Sequence, residues 1–172
     1  MTAEQKAAKR SIEFFSAANL DEVTASEVGS NVEALEVHFA EGADRGALNE
    51  GSALFSQYMK SFGSNFDDLG LHIGVIEFAP GLISPLHSHS DDCVYYVERG
   101  SIILGNRTLR PGEGFLSRKN QPYGFVVGPD GLRLIEFTTG RRRDITFHER
   151  HAGAWKGRLE KAIAKLNATP AV

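Results

Sequence analysis

Two histidines separated by one residue, His87 and His89, stand in the middle of the chain, and its single cysteine, Cys93, follows them. In a strand, residues of the same parity point to the same face, so all three side chains are expected to face one side, subject to a bulge near Asp91. Two imidazoles at this spacing bind one divalent ion at about 2.0–2.2 Å each. Neutral imidazole suits Fe, Mn, Ni, Cu or Zn, and the remaining positions are left for water or substrate. The spacing therefore predicts a centre for a divalent transition metal.

The segment around this pair has a regular spacing of glycine and histidine. Gly81 is followed after five residues by His87 and His89, three residues then lead to Cys93, and six more lead to Gly100. This pattern resembles the first signature of the cupin superfamily, with Cys93 in the place of the usual glutamate. The resemblance implies a small antiparallel β-barrel with a metal pocket organised by the two histidines.

A second segment, GEGFLSRKNQPYGFVV, keeps only the spacing of the second cupin signature. Counting from Gly112, the usual proline is Arg118, the usual glycine is Asn120, the usual histidine is Tyr123 and the usual asparagine is Val127. Asparagine is a sensible substitute for glycine because it adopts the left-handed backbone conformation more readily than most residues. The resemblance therefore implies that the usual set of three histidines and one glutamate becomes His87, His89, Cys93 and Tyr123.

This altered set leaves three chemical interpretations open. In the first, Tyr123 or Cys93 is an additional metal ligand; thiolate is a strong ligand for Zn or Fe, and a tyrosinate ligand needs its ordinary pKa of about 10 lowered by the metal. In the second, the histidines and water bind the metal, and Tyr123 is an acid or base toward a chelated substrate. In the third, no metal binds, and the pocket is a polar-lined ligand site. Independently of these, Cys93 is either a functional residue or a small buried residue that fills the barrel.

Parity also predicts the walls of the pocket. A largely apolar cavity with a few polar groups is typical of small-molecule sites. Glu136 would supply the missing carboxylate if its face of the strand is inward, and is otherwise an exposed or paired residue. The residues predicted to line the pocket in this way are Tyr95, Phe125, Glu136 and His72.

The middle of the chain consists of short apolar runs separated by Gly, Pro, Asn and Asp, a pattern typical of strands joined by turns. Two turns are predicted, at Gly105-Asn106 and at Gly128–Gly131. Such closely spaced strands favour a closed barrel or jelly roll over a parallel sheet. The predicted strands are Leu35–Phe39, Leu71–Phe78, Cys93–Arg99, Ser101–Leu104, Gly114–Leu116, Tyr123–Val127 and Leu132–Phe137.

Both ends of the chain show helical spacing. The range Thr2–Ala18 is predicted to form a helix that packs an apolar stripe, Ala8, Ile12 and Phe15, on the main body or on a second subunit. Near the other end, one helical face is predicted from Trp155, Leu159, Ile163 and Leu166. The expected fold is therefore all-β, a cupin or jelly-roll β-barrel over residues 31–140, with helical extensions over residues 1–30 and 141–172.

Composition limits the class of protein. The chain has 172 residues, 41% of them hydrophobic, a formal net charge of −3 and no apolar run near the roughly twenty residues of a membrane span. A single cysteine excludes an internal disulfide and fits a reducing cytoplasm, and no secretory leader is expected because charges occur throughout the first twenty residues. Arg141-Arg142-Arg143 is interpreted as a solvated loop, so neither nucleic acid nor a membrane is an expected partner.

Two hypotheses of function follow. The first is a metal-dependent cupin enzyme for a small organic substrate, with dioxygenase, isomerase or lyase chemistry and the dioxygenase type favoured; His87 and His89 are ligands, and Tyr123 is a ligand or proton donor. The second is a non-catalytic cupin that binds a small molecule as a sensor or carrier. A homodimer is expected in either case because exposed edge strands need covering.

Overall fold

The structure is a computed structural model, and it describes residues 22–23, 36–66, 69–139 and 144–168. The helix predicted over Thr2–Ala18 and the arginines at 141–143 lie outside the described residues. Within the described part, the chain forms ten strands and two helices. These are β1 (Glu22–Val23), β2 (Glu36–Phe39), α1 (Arg45–Ser56), β3 (Met59–Phe66), β4 (Leu71–Phe78), β5 (His87–Ser88), β6 (Cys93–Leu104), β7 (Arg107–Leu109), β8 (Gly114–Ser117), β9 (Val126–Thr138), β10 (Asp144–Phe147) and α2 (Ala152–Ala168).

Two sheets form the barrel. The larger has the order β1-β3-β4-β9-β6-β7, with β8 also paired to β6, and all of its neighbouring strands are antiparallel. The smaller has the order β2-β10-β5, in which β10 runs parallel to β2 and antiparallel to β5. The expected all-β jelly-roll barrel with a C-terminal helix is therefore confirmed.

The inner face of the large sheet follows the period-two alternation of strands. From Cys93 to Glu98, buried and exposed residues alternate along β6, and buried residues dominate every second position of β9 from Leu132 to Thr138. Facing residues such as Val97 and Leu134 are register partners and lie in the same core. This alternation directs Cys93, Tyr95 and Glu136 to the inside of the barrel.

Two predicted strand breaks are absent. The predicted strands Cys93–Arg99 and Ser101–Leu104 form one strand, β6, and residues on both sides of Gly128–Gly131 belong to β9. The prediction that one strand ends and another begins at Gly128–Gly131 is wrong. These residues form a bulge in β9 opposite Ser101, where the register with β6 shifts. Pairing resumes at Leu132, so the chain does not reverse there. The hairpin at Gly105-Asn106 is confirmed between β6 and β7, with a positive φ of 57° at Gly105.

Helix α1 and strand β3 were not predicted from the sequence. The glycines of α1 lower its intrinsic helix propensity. Asp44 stabilises the start of the helix as its N-cap, because its side chain accepts a hydrogen bond from the Ala47 backbone N–H at 3.2 Å. Gly51 has a packing role, because a Cβ atom built on it would lie 2.3 Å from the Trp155 ring. The helix is therefore stabilised by its contact with α2.

Helix α2 matches its prediction. Trp155, Leu159 and Ile163 are buried along one face, and the helix continues to Ala168. The Trp155 indole donates a hydrogen bond from Nε1 to the Ile83 carbonyl at 3.0 Å, which ties α2 to the segment that precedes the histidines. No helix within the described ranges is long and apolar enough to cross a membrane.

Candidate metal centre

His87 is held in β5 by backbone pairing on both sides. It exchanges backbone hydrogen bonds with Tyr123 at 2.9 and 2.8 Å, and it is the register partner of Phe147 in β10. Its side chain is buried, and Nδ1 lies 2.8 Å from the Pro85 carbonyl oxygen. The ring orientation is therefore set by the backbone.

His89 is buried beside it, with ring centroids 5.2 Å apart. Its Nδ1 lies 2.7 Å from the Asp144 carbonyl oxygen of β10, and the Asp144 carboxylate accepts a 2.8 Å hydrogen bond from the Ser90 hydroxyl. The His89 backbone carbonyl accepts a 2.7 Å hydrogen bond from the Asn120 backbone N–H. Asn120 has a φ of 59°, which confirms the left-handed conformation expected from the second motif.

The two Nδ1 contacts determine which nitrogen can ligate. A carbonyl oxygen only accepts hydrogen bonds, so each neutral ring carries its proton on Nδ1. The lone pair that a metal ion uses then belongs to Nε2 in both His87 and His89. Hydrogen bonds from the non-ligating nitrogen to backbone carbonyls are typical of metal-binding histidines in proteins.

Tyr123 brings a phenol to the same place. Its ring centroid lies 4.4 Å from that of His87 and 6.3 Å from that of His89. Its hydroxyl donates a 2.9 Å hydrogen bond to the Tyr95 hydroxyl. The strand predicted over Tyr123–Val127 begins only at Val126, so Tyr123 is positioned by its isolated bridge to His87.

Aromatic rings surround these polar groups. Tyr95 stacks on Phe115 with centroids 4.6 Å apart, and Phe115 meets Tyr123 at 5.8 Å. Phe125 is buried with its centroid 6.3 Å from that of His87. Phe115 was missed in the sequence because both it and the next residue are apolar, which hides the alternation of β8. Asp144 was not predicted as a site residue because it contacts His89 through its backbone carbonyl, and every residue type carries that group.

The remaining predicted site residues line the inner face of the large sheet. Cys93 is fully buried, and its thiol donates a hydrogen bond to the Asp91 carbonyl at 3.5 Å. Glu136 is 1% exposed, so it lies inside the barrel and not on the surface, and it is the register partner of Tyr95. The His72 ring lies over Gly63, where a Cβ atom would come within 2.6 Å of its Cε1.

A transition metal needs several donor atoms close together. Among the residues that the structure describes, no group of three or more His, Cys, Asp or Glu side chains could hold a metal ion, and the ligand role of Cys93 stays a prediction. A set of two preoriented imidazoles with the Tyr123 phenol beside them still fits such an ion, because open catalytic sites leave positions for water or substrate.

Two acidic residues, Asp91 and Asp92, lie in the loop between His89 and strand β6. Partial burial raises the pKa of Asp91 above its ordinary value, and the nearby carboxylates of Asp144 and Asp92 raise it further. In contrast, a hydrogen bond from the Lys119 amide lowers the pKa of Asp92, and the Arg118 guanidinium lowers it further. Asp92 therefore links the loop to the segment that leads to Tyr123, since the Lys119 amide donates to it at 2.8 Å.

Comparison with solved structures gives matches to cupins over about half of the chain. An RmlC-like cupin from Shewanella frigidimarina is 25% identical, with a TM-score of 0.44 over 49% of this chain and 78% of that one. KdgF from a Halomonas species is 24% identical, with a TM-score of 0.43 over 49% of this chain and 82% of that one. The DMSP lyase DddQ from Ruegeria pomeroyi is 18% identical, with a TM-score of 0.46 over 51% of this chain and 50% of that one.

Neither the protein-family models nor the curated proteins give a match to the sequence. The assignment of the fold depends on features of the chain itself. The first motif places two buried histidines beside Tyr123, and the strands, antiparallel except for the β2–β10 pair, form the two sheets of a jelly roll. The chain has the cupin fold.

Proposed function

We propose that the barrel is a metal-dependent enzyme for a small organic substrate, with His87 and His89 as ligands of a divalent transition metal, Fe, Mn, Ni, Cu or Zn. The observation that carries the proposal is the pair of Nδ1 contacts to backbone carbonyls, at 2.8 and 2.7 Å. These contacts orient two buried rings before any ligand arrives. Rings preoriented in this way bind a metal without the entropic cost of ordering flexible side chains.

When bound, the metal would supply a Lewis acid or an oxygen-activating centre. The reaction class is then a dioxygenase, isomerase or lyase reaction, with the dioxygenase type favoured. The residues of the chain hold the ligands in place: Pro85 fixes the His87 ring, and Asp144 fixes the His89 ring. Aromatic side chains around them exclude water from the substrate, which strengthens polar interactions in the site.

Tyr123 is proposed as a further ligand or as the proton donor to the substrate. Its Oη lies 2.9 Å from the Oη of Tyr95, and hydroxyl groups exchange donor and acceptor roles by rotation. If Tyr123 gives its proton to the substrate, Tyr95 turns to donate its own hydrogen to the resulting phenolate oxygen. Tyr95 is then a positioning residue that stabilises the charge on Tyr123.

A second candidate function is metal-free binding of a small molecule, as in a sensor or carrier. The Tyr123 and Tyr95 hydroxyls, 2.9 Å apart beside the Phe115 ring, favour this alternative because they offer polar contacts that need no metal. The ligand would be held by the aromatic walls and by the hydroxyls of Tyr123 and Tyr95. The homodimer expected from the sequence stays a prediction under both functions.

Elemental analysis of the purified protein, before and after reconstitution, tests the proposal. We expect near-stoichiometric metal in the unmodified chain, and none in His87→Ala/His89→Ala. The control is His38→Ala on β2, an exposed histidine 3.5 Å from the Glu36 carboxylate, which should keep its metal. If the reconstituted protein holds no metal, the enzyme proposal is wrong and metal-free binding is left.

A further inference from the structure

The inner face of the large sheet carries two ionisable side chains that the proposed reaction does not use, His72 on β4 and Glu136 on β9. Glu136 is 1% exposed, and His72 is partly buried at the end of the same face. Removing an ionised carboxylate from water is costly unless another group pairs with it. The groups beside Glu136 therefore decide its role.

Two glycines make room for the His72 ring. Gly63 on β3 and Gly74 on β4 are register partners. A Cβ atom on Gly63 would lie 2.6 Å from Cε1 of the ring, and one on Gly74 would lie 3.1 Å from its Nε2. Glycine inside a strand is unfavourable, because it loses more conformational freedom on folding and offers no side chain to pack. Both glycines are explained by one requirement, the position of this imidazole, and we call them the glycine cradle.

The glycine cradle also brings the ring to Glu136. Gly74 is the register partner of Glu136, and a Cβ atom on Gly74 would lie 3.7 Å from the Cβ atom of Glu136. The His72 and Glu136 side chains thus border the same point above Gly74. The carboxylate carbon is only two bonds beyond the Cβ atom of Glu136, so the carboxylate is within reach of the ring edge that carries Nε2.

The pair lies next to the aromatic walls of the proposed metal centre. On β6, Tyr95 is the other register partner of Glu136, about 4.8 Å away at the usual strand spacing. The Tyr95 hydroxyl accepts the hydrogen bond from Tyr123, and Phe115 is the register partner of Tyr95 on β8. A single row of the sheet therefore leads from the glycine cradle to the rings around the two histidines.

We propose that His72 and Glu136 form an acid–base dyad, in which His72 is the base toward the substrate and Glu136 is a positioning residue. An ionised carboxylate only accepts hydrogen bonds, so Nε2 carries the proton of the neutral ring and Nδ1 keeps the lone pair. When His72 acts, a C–H or O–H bond of the substrate breaks, its electron pair stays on the substrate, and the proton forms a new N–H bond on Nδ1. The Glu136 carboxylate stabilises the positive charge that the ring then carries.

The role of the dyad in the reaction rests on the proposed function, in which the substrate is bound at His87 and His89. The dyad restricts that substrate to molecules with an acidic C–H or O–H group. Tyr123 is the proposed proton donor, so the pocket would hold both a base and an acid. Since the His72 ring is partly exposed, the proton that it takes up can pass to water after each turnover.

Nitrogen NMR of the metal-free protein, isotope-labelled in histidine, tests the pairing. Long-range proton–nitrogen spectra distinguish a protonated ring nitrogen from one with a lone pair. We expect neutral His72 to carry its proton on Nε2, and Glu136→Met, which removes the acceptor, to give a mixture of both tautomers. The matched control is Glu36→Met, which removes an exposed carboxylate 3.5 Å from His38 and should leave the His72 signals unchanged. A proton on Nδ1 of His72 in the unmodified chain overturns the pairing, whether or not the variant folds.

The base is tested with 5-nitrobenzisoxazole, again in metal-free protein. A base removes the proton of its ring C–H bond, that electron pair forms the nitrile, and the N–O bond breaks to give a coloured phenolate. We expect His72→Phe, which keeps a ring in the glycine cradle, to lower kcat by about 10²-fold or more with little change in KM. Glu136→Gln keeps an acceptor but removes the charge, and should lower kcat by about 10-fold. His38→Phe is the matched control, an exposed histidine also beside a glutamate, and should leave both constants unchanged.

A rate in the unmodified chain no higher than in His72→Phe would overturn the dyad. Failure of the dyad and failure of the proposed function are separate results, because this assay needs no metal. A protein that binds metal at His87 and His89 but shows no effect of His72→Phe would refute the dyad alone. A protein that holds no metal after reconstitution but loses this activity in His72→Phe would support the dyad and refute the metal centre.

Discussion

Gly51→Ala should destabilise the protein even though alanine is the better helix former. In α1, this exchange alone would favour the helix by roughly 1 kcal/mol. The added Cβ would however lie 2.3 and 2.6 Å from two carbons of the Trp155 ring, which is fully buried. Overpacking a closed core costs about 1–3 kcal/mol, and a contact this short belongs at the upper end. We therefore expect a net loss of about 1–2 kcal/mol in the free energy of unfolding.

Thermal melting and fluorescence measure the effect. For a domain of this size, the loss corresponds to a fall in melting temperature of about 2–8 °C. Trp155 is the single tryptophan, so its emission reports directly on its surroundings. Displacing the ring would lengthen its 3.0 Å hydrogen bond to the Ile83 carbonyl and shift that emission.

The matched control is Gly157→Ala in α2. A Cβ atom at that position would meet nothing within 4 Å, so this variant should gain up to about 1 kcal/mol. If Gly51→Ala proves as stable as Gly157→Ala and leaves the emission unchanged, the close packing of α1 on the Trp155 ring is refuted.

Three further predictions concern the site and its supports. Tyr123→Phe should lower turnover by about 10²-fold or more while keeping bound metal, because it removes only the hydroxyl; turnover and metal content are measured together. Asp92→Asn should destabilise the protein by a constant amount above about pH 4, and the difference should fade as pH falls further. The reason is that the lowered pKa of Asp92 gives a stabilisation that is full above the unfolded value and is lost as pH falls through the folded one. Melting curves from pH 2 to 7 measure this. Gly100→Ala should cost several kcal/mol in a denaturant titration, because φ is +76° there and the new Cβ would lie 2.0 Å from a backbone oxygen of β9.

Each of these has a result that contradicts it. Loss of metal in Tyr123→Phe would make the tyrosine a ligand and not only a proton donor. A constant difference between Asp92→Asn and the unmodified chain at every pH would exclude the carboxylate as its cause. Unchanged stability of Gly100→Ala would mean that β6 and β9 separate at that point. The control for the strain of a positive φ alone is Gly105→Ala, because a Cβ atom there meets no atom within 4 Å.

Local patterns in the sequence were enough to predict features whose cause is also local. The spacing of His87 and His89 predicts two neighbouring buried rings, and helical spacing predicts the buried face of α2. The positive φ of Asn120 follows from its place in the second motif. In these cases a few consecutive residues determine the backbone.

Features that depend on distant contacts could not be predicted. Helix α1 contains glycines that argue against a helix, and its stability depends on a ring about a hundred residues later in the chain. The predicted break at Gly128–Gly131 has the residues of a turn, but pairing with β6 continues on both sides. The inward direction of Glu136 depends on which face of β9 is covered, and alternation alone does not decide this.

The hydrogen bond from His89 to Asp144 has a consequence for how the protein is made. The two residues are 55 positions apart, so the ring is not oriented when its own part of the chain leaves the ribosome. Contacts of such separation form late because a long loop must close first. Strand β10 has to emerge before both imidazoles are in place, which delays formation of the proposed metal centre until that strand has been made. A nascent chain arrested before β10 would therefore expose the histidines without the geometry that the proposed metal centre requires.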